Sequence, residues 1–179
     1  MFLYAFLMLS GLVLGGKITS FSWENRNMGY YVVHNKYTPR FSPEVFAHEL
    51  IERAKKEYEL PGITLNLTFA GMNTVSFSPD ATPGETHFYS TQLYKRMEFD
   101  MKLNSDAYIT PETLYLSLLH EFGHVFGLDH PDRADDSVMG KPMIHKPDGG
   151  YIQEYKYHTL TQNDVIALYK HESLFRECI

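Results

Sequence analysis

The chain has 179 residues, of which 44% are hydrophobic, 21% charged and 15% aromatic, and its formal net charge is −6. Such a length and composition describe one globular domain with a substantial core, and they exclude a disordered or low-complexity chain. The acidic balance argues against a nucleic-acid partner, whose phosphates need a basic surface, and the single cysteine, Cys178, excludes an intrachain disulfide framework.

Residues 2–14 are almost wholly apolar, broken only by Ser10 and Gly11, and lead into Gly15, Gly16 and Lys17. The stretch is short for a membrane span and matches the apolar core of a signal peptide, with small residues near a cleavage point. Residues 1–16 are therefore expected to be a secretion signal. A retained membrane anchor and a buried element are the alternatives. Residues 17–27 read as an N-terminal arm whose Trp23 packs on the domain. Residues 28–34 are rich in β-formers and predict a strand. Ser42, Pro43 and Glu44 then start a helix; Phe46, Leu50, Ala54 and Tyr58 share one face of it, and Pro61–Gly62 end it.

In residues 63–69 a strict alternation places Ile63, Leu65, Leu67 and Phe69 inward. Asn66, Leu67 and Thr68 also match a glycosylation sequon on the outward side. A short β-like piece at 75–77 precedes a loop at 78–84 that carries Pro79, Asp80, Pro83 and Gly84. Strands are expected at 86–93 and around Met97, Phe99, Met101 and Leu103. Thr110, Pro111 and Glu112 begin a second helix through Leu114, Leu118 and Phe122 to about Phe126. Turn formers dominate from His130 to Thr159. Thr161 caps a last helix, with Asp164 completing the capping pattern and Val165, Leu168 and Tyr169 as its apolar stripe. This order of elements predicts an α+β domain.

The chemistry is concentrated in residues 120–130. His120 and His124 lie one helical turn apart and aim two imidazoles at one point. Gly127 can adopt positive φ, end the helix and turn the chain so that His130 swings back toward the same point. Zinc binds neutral imidazole nitrogen, and a catalytic zinc takes three protein ligands and keeps a position open for water. Glu121, beside the first ligand, is placed to take a proton from that water.

The pattern H-E-x-x-H-x-x-G-x-x-H, as His120, Glu121, His124, Gly127 and His130, resembles the active-site signature of metzincins, and the segment is similar to that of the matrixins, the matrix-metalloproteinase-like zinc endopeptidases. Ser137, Val138, Met139 and Gly140 look like the family's methionine turn, with Met143 as the rival position. The resemblance implies a metzincin-like zincin fold: a twisted mixed sheet, two main helices including the one bearing the motif, an irregular lower subdomain and a C-terminal helix, in a catalytic domain spanning 28–175. It also implies that the strand expected at 86–93 borders the cleft, where an extended substrate adds to the sheet edge. Residues 141–158 would wall the primed-side pocket, and of Tyr151, Tyr155 and Tyr157 one is a candidate to hold the oxyanion, with aromatic packing as the plainer role.

The chain departs from the family in two places. No cysteine stands ahead of the motif to cap the metal, and the family's structural-zinc segment is missing, so one zinc is expected. Calcium is a further candidate cofactor, with Asp80, Asp132, Asp135, Asp136 and Asp148 as candidate ligands, although none has EF-hand spacing and solvated loop carboxylates are the plainer reading. The other histidines show no ligand spacing. The function implied is that of a secreted, monomeric zinc endopeptidase acting on protein or peptide substrates, with Glu121 as general base, His120, His124 and His130 as zinc ligands and Met139 as the structural methionine. The rivals are a non-catalytic zinc-bearing peptide-binding module and a membrane-tethered protease that keeps residues 2–14.

Overall fold

A computed structural model of the chain describes residues 16–33, 44–69, 71–78, 84–90, 95–96, 98–104, 110–131, 136–140, 143–145, 152–154 and 156–176. The apolar stretch at 2–14, the carboxylates Asp80, Asp132, Asp135 and Asp148, the phenols Tyr151 and Tyr155, the side chain of Met143 and Cys178 lie outside the described residues. In chain order the elements are β1 (Ser22–Trp23), β2 (Asn27–Val33), α1 (Glu44–Lys56), β3 (Asn66–Phe69), β4 (Asn73–Ser78), β5 (Gly84–Tyr89), β6 (Lys95–Arg96), β7 (Glu98–Asn104), α2 (Pro111–Val125), β8 (Met143–His145), β9 (Ile152–Glu154) and α3 (Gln162–Arg176).

The domain is α+β, built on a mixed five-stranded sheet in the order β3-β2-β4-β7-β5. The first three junctions are parallel, and β5 closes the sheet antiparallel to β7, with Thr86 opposite Met101. Alternation supplies the sheet's inner face: Met28, Tyr30 and Val32 from β2, Val75 and Phe77 from β4, and Phe99, Met101 and Leu103 from β7 are buried. Helix α2 packs against α1, β5 and β7. It is therefore enclosed nearly all round, with Leu114 to Gly123 buried without interruption.

The ladders correct several boundaries. β4 runs Asn73–Ser78, longer than the piece expected at 75–77, because it pairs on both sides. β5 begins at Gly84 and ends at Tyr89, not 86–93, since its register is set by β7 from Leu103 back to Glu98. Leu65 and Leu67 are buried as expected, but Phe69 is 56% exposed: it sits at the end of the sheet's edge strand and rests on the rings of Tyr30 and His48.

Residues 17–27 are built into the domain. Ile18 bridges Leu128, the amide of Thr19 donates to Gly127 O, and that of Asp129 donates to Lys17 O. β1 pairs in parallel with β6. Trp23 is buried among Phe21, Phe88 and Phe99, and its indole N–H donates to Val125 O at 2.7 Å.

The buried face of α3 differs from the stripe expected at Val165, Leu168 and Tyr169. It consists of Asp164, Ala167, Leu168, His171 and Glu172, at helical spacing. Hydrophobicity misses this face because three of its members are polar, and each is buried with partners. Asp164 meets Ser137, His171 meets Phe21 O, and Glu172 takes Arg26 and Thr64.

Replacement of Trp23 by Ala removes a fully packed indole and orphans Val125 O, so a loss of about 3–5 kcal/mol in urea unfolding is expected. A loss under about 1 kcal/mol would show that the arm is not part of the folding unit.

Candidate metal centre

The helix that carries the centre is capped at both ends by its own sequence. Thr110 is the N-cap, its hydroxyl accepting from the amide of Thr113 in a reciprocal capping box, and Pro111 opens the first turn. At the other end Gly127 has φ +94°. Its amide donates to His124 O, and that of Leu128 donates to Gly123 O at 2.8 Å, a Schellman closure. The chain reverses there within two residues and carries His130 back to His120 and His124.

The three imidazoles converge. Their ligand atoms lie within 4.8 Å of one another, and among the described residues no other group of three or more His, Cys, Asp or Glu side chains is placed to hold a metal ion. His120 Nε2 and His130 Nε2 face each other at 3.0 Å. Two nitrogens on a tetrahedral metal at roughly 2.0–2.1 Å stand about 3.3 Å apart, so the spacing fits a shared ion. The tautomers fit as well. His120 Nδ1 lies 2.9 Å from Val138 O, and His124 Nδ1 lies 3.1 Å from Leu128 O. A carbonyl only accepts, so each Nδ1 carries the proton and each Nε2 keeps a lone pair for a metal.

Electrostatics favour the same state. Burial, then the neighbouring His124, push His120 down to about 3. Burial, then His130, push His124 down to about 4. Both rings are neutral at neutral pH, the form in which an imidazole can bind a metal.

Beneath the helix lies the turn at 137–140, closed by the amide of Gly140 donating to Ser137 O. Met139 is buried in it, and Gly123 is the reason it fits: a Cβ at 123 would come 2.2 Å from Met139 Sδ. The turn is held in place by Asp164, which is 1% exposed and accepts from the Ser137 hydroxyl at 2.5 Å and the Val138 amide at 3.1 Å. Tyr58, two residues past the end of α1, supports the helix by donating from its hydroxyl to Leu119 O at 2.5 Å.

Glu121 is 4% exposed and points to the sheet edge. Thr86 of β5 donates to its Oε2 at 2.7 Å, and Gly84 leaves room for its Oε1. Burial pushes the carboxyl up to about 7 against the lowering effect of the Thr86 hydrogen bond, with Glu85 adding a further upward push.

Sequence reasoning named His120, Glu121, His124, His130 and Met139, and the structure brings the three histidines together, with Met139 against Gly123 between two of them. It missed Gly84, Thr86 and the anchoring role of Asp164. The capping pattern at Thr161 was the signal for Asp164, and nothing in the local pattern marks Gly84 or Thr86. Of the other candidates, Tyr157 donates to Asp136, which also pairs with Lys156, so neither side chain reaches the histidines by a described contact. His158 pairs with Glu112, and His87 with Glu85. Comparison with models of known protein families and with curated proteins gives no match.

Because the folded value of Glu121 lies above its unfolded 4.5, its ionisation opposes folding: stability is full below 4.5 and is lost as pH rises through about 7. In the metal-free protein Glu121→Gln is therefore expected to be more stable than the native chain at about pH 8, by on the order of 3 kcal/mol at roughly 1.4 kcal/mol per unit. That gain should vanish by about pH 4.5. Urea unfolding at the two pH values tests it, and a gain independent of pH would contradict the buried-carboxyl account.

Proposed function

We propose that the chain is a zinc endopeptidase of the metzincin type, similar to the matrixins, that hydrolyses peptide bonds in proteins. The observation that carries the reading is the convergence of His120, His124 and His130 with the first two rings oriented by backbone carbonyls, one residue from a buried carboxylate. The mixed sheet with its antiparallel edge strand, the enclosed α2 and the C-terminal α3 agree with a metzincin-like fold.

Zinc suits three imidazole nitrogens, and when bound there it supplies Lewis-acid polarisation of the peptide carbonyl and makes the attacking water more acidic. The chain's own residues supply the rest. Glu121 takes the water's proton and returns it to the leaving amine, work that suits a carboxyl held near neutrality. Among the described residues β5 is the last strand of the sheet and pairs with β7, so an extended peptide added beyond it gains backbone hydrogen bonds and is laid across the centre. The turn carrying Met139 keeps His120 oriented without supplying a competing hard ligand.

With zinc loaded, the protein is expected to cleave unfolded casein and to lose that activity to a chelator. Glu121→Gln should lower the rate by about a hundredfold or more while still holding one zinc per chain. Zinc binding with no cleavage of casein or of a peptide library favours a non-catalytic binding module. The apolar stretch at 2–14 supports export. On secretion the mature chain should begin near Lys17 by mass spectrometry; a mature chain that retains Met1 indicates a membrane tether instead. Among the described residues no helix is long and apolar enough to cross a membrane.

A further inference from the structure

We propose that Thr86 is a positioning residue for Glu121: its hydroxyl, carried on the strand that borders the cleft, holds one oxygen of the carboxylate in place. This role rests on the peptidase reading, but the contact itself stands apart from it. Glu121 is buried, and a carboxylate can only accept hydrogen bonds. Among the described residues its hydrogen-bond partner is Thr86, whose Oγ1 lies 2.7 Å from Oε2. Such hydroxyl-to-carboxylate bonds are among the stronger ones, and a buried carboxylate without a donor is costly.

Strand geometry explains why position 86 supplies the donor. Side chains alternate along β5. Glu85 and His87 pair with each other, while Phe88 packs on Phe21 and Trp23 and Gly84 lies against Glu121. Thr86 shares this second face, between Gly84 and Phe88. A Cβ at Gly84 would stand 2.7 Å from Oε1, so the strand brackets the carboxylate, with an absent side chain at one oxygen and a hydroxyl at the other. The same strand is the last of the sheet among the described residues, and an extended peptide would pair along its outer side. Peptide backbone and carboxylate are then placed by one rigid element, and proton transfer depends on that shared register.

Valine has threonine's shape without the donor; serine keeps the donor. On a peptide spanning a casein cleavage site, the zinc-loaded full chain with Thr86→Val should lose kcat by roughly tenfold to a hundredfold, the scale of a misplaced catalytic group. Its KM should stay within about twofold, since the strand's backbone edge is intact. Thr86→Ser should recover most of the rate. A second readout needs no activity. In the metal-free protein, Thr86→Val should lower the urea midpoint, and the same change made in a Glu121→Ala background should leave it unmoved. Thr86→Ala repeats that comparison without the risk of misplaced bulk. Native kcat in the valine variant, equal losses for serine and valine, or the same midpoint shift in both backgrounds would overturn the proposal. If no variant and no native protein cleaves any substrate, the peptidase reading fails, and the urea comparison alone decides whether Thr86 holds Glu121.

Discussion

The carboxylate of Asp164 joins parts of the chain that are otherwise remote. It accepts from the Ser137 hydroxyl, the Val138 amide, and the amide and hydroxyl of Thr161. The last two cap α3, and the first two fix the turn that holds Met139. The carbonyl of the same Val138 receives His120 Nδ1–H. One buried group thus starts a helix, clamps a turn and, through that turn, sets the tautomer of a metal-ligand candidate. Buried polar groups of this kind are costly when half satisfied and rigid when fully satisfied.

The other side of the centre depends on a helix ending. Gly127 takes a positive φ that other residues rarely adopt, and its missing side chain is needed twice over. The ring of His171 occupies the space where a Cβ would go, with its nearest ring atoms at 2.4 Å from that point. The hydroxyl of Thr19 donates to Gly127 O, and His171 Nε2 lies 2.7 Å from Phe21 O. The arm and α3 therefore enclose the turn that delivers His130. This accounts for a polar buried face on α3 where its hydropathy suggested an apolar stripe.

Around the three nitrogens, burial acts in opposite directions on histidine and glutamate. It favours the uncharged form of each. For His120 and His124 that form is the one able to bind a metal ion. For Glu121 it raises the carboxyl into the range where it can both accept and release a proton near neutral pH. The same burial thus acts on both parts of the candidate site. The Thr86 hydroxyl keeps the ionised carboxylate affordable by giving it a donor.

What the sequence by itself determined was local. The spacing of His120, His124, Gly127 and His130 dictates a helix, a reversal and a convergence, because helical pitch and the φ of glycine act over a few residues. The capping chemistry at Thr110 and Thr161 and the alternation in β7 were legible for the same reason. Only the tertiary structure decided that β5 presents Gly84 and Thr86 to Glu121, that Asp164 reaches back to Ser137 and Val138, and that the arm is tied to the helix end through Ile18 as well as through the Trp23 that the sequence already placed on the domain. Those contacts join residues far apart in the chain. Threonine, glycine and aspartate are ordinary in any strand or helix until the packing puts them beside a buried carboxylate or an open backbone amide.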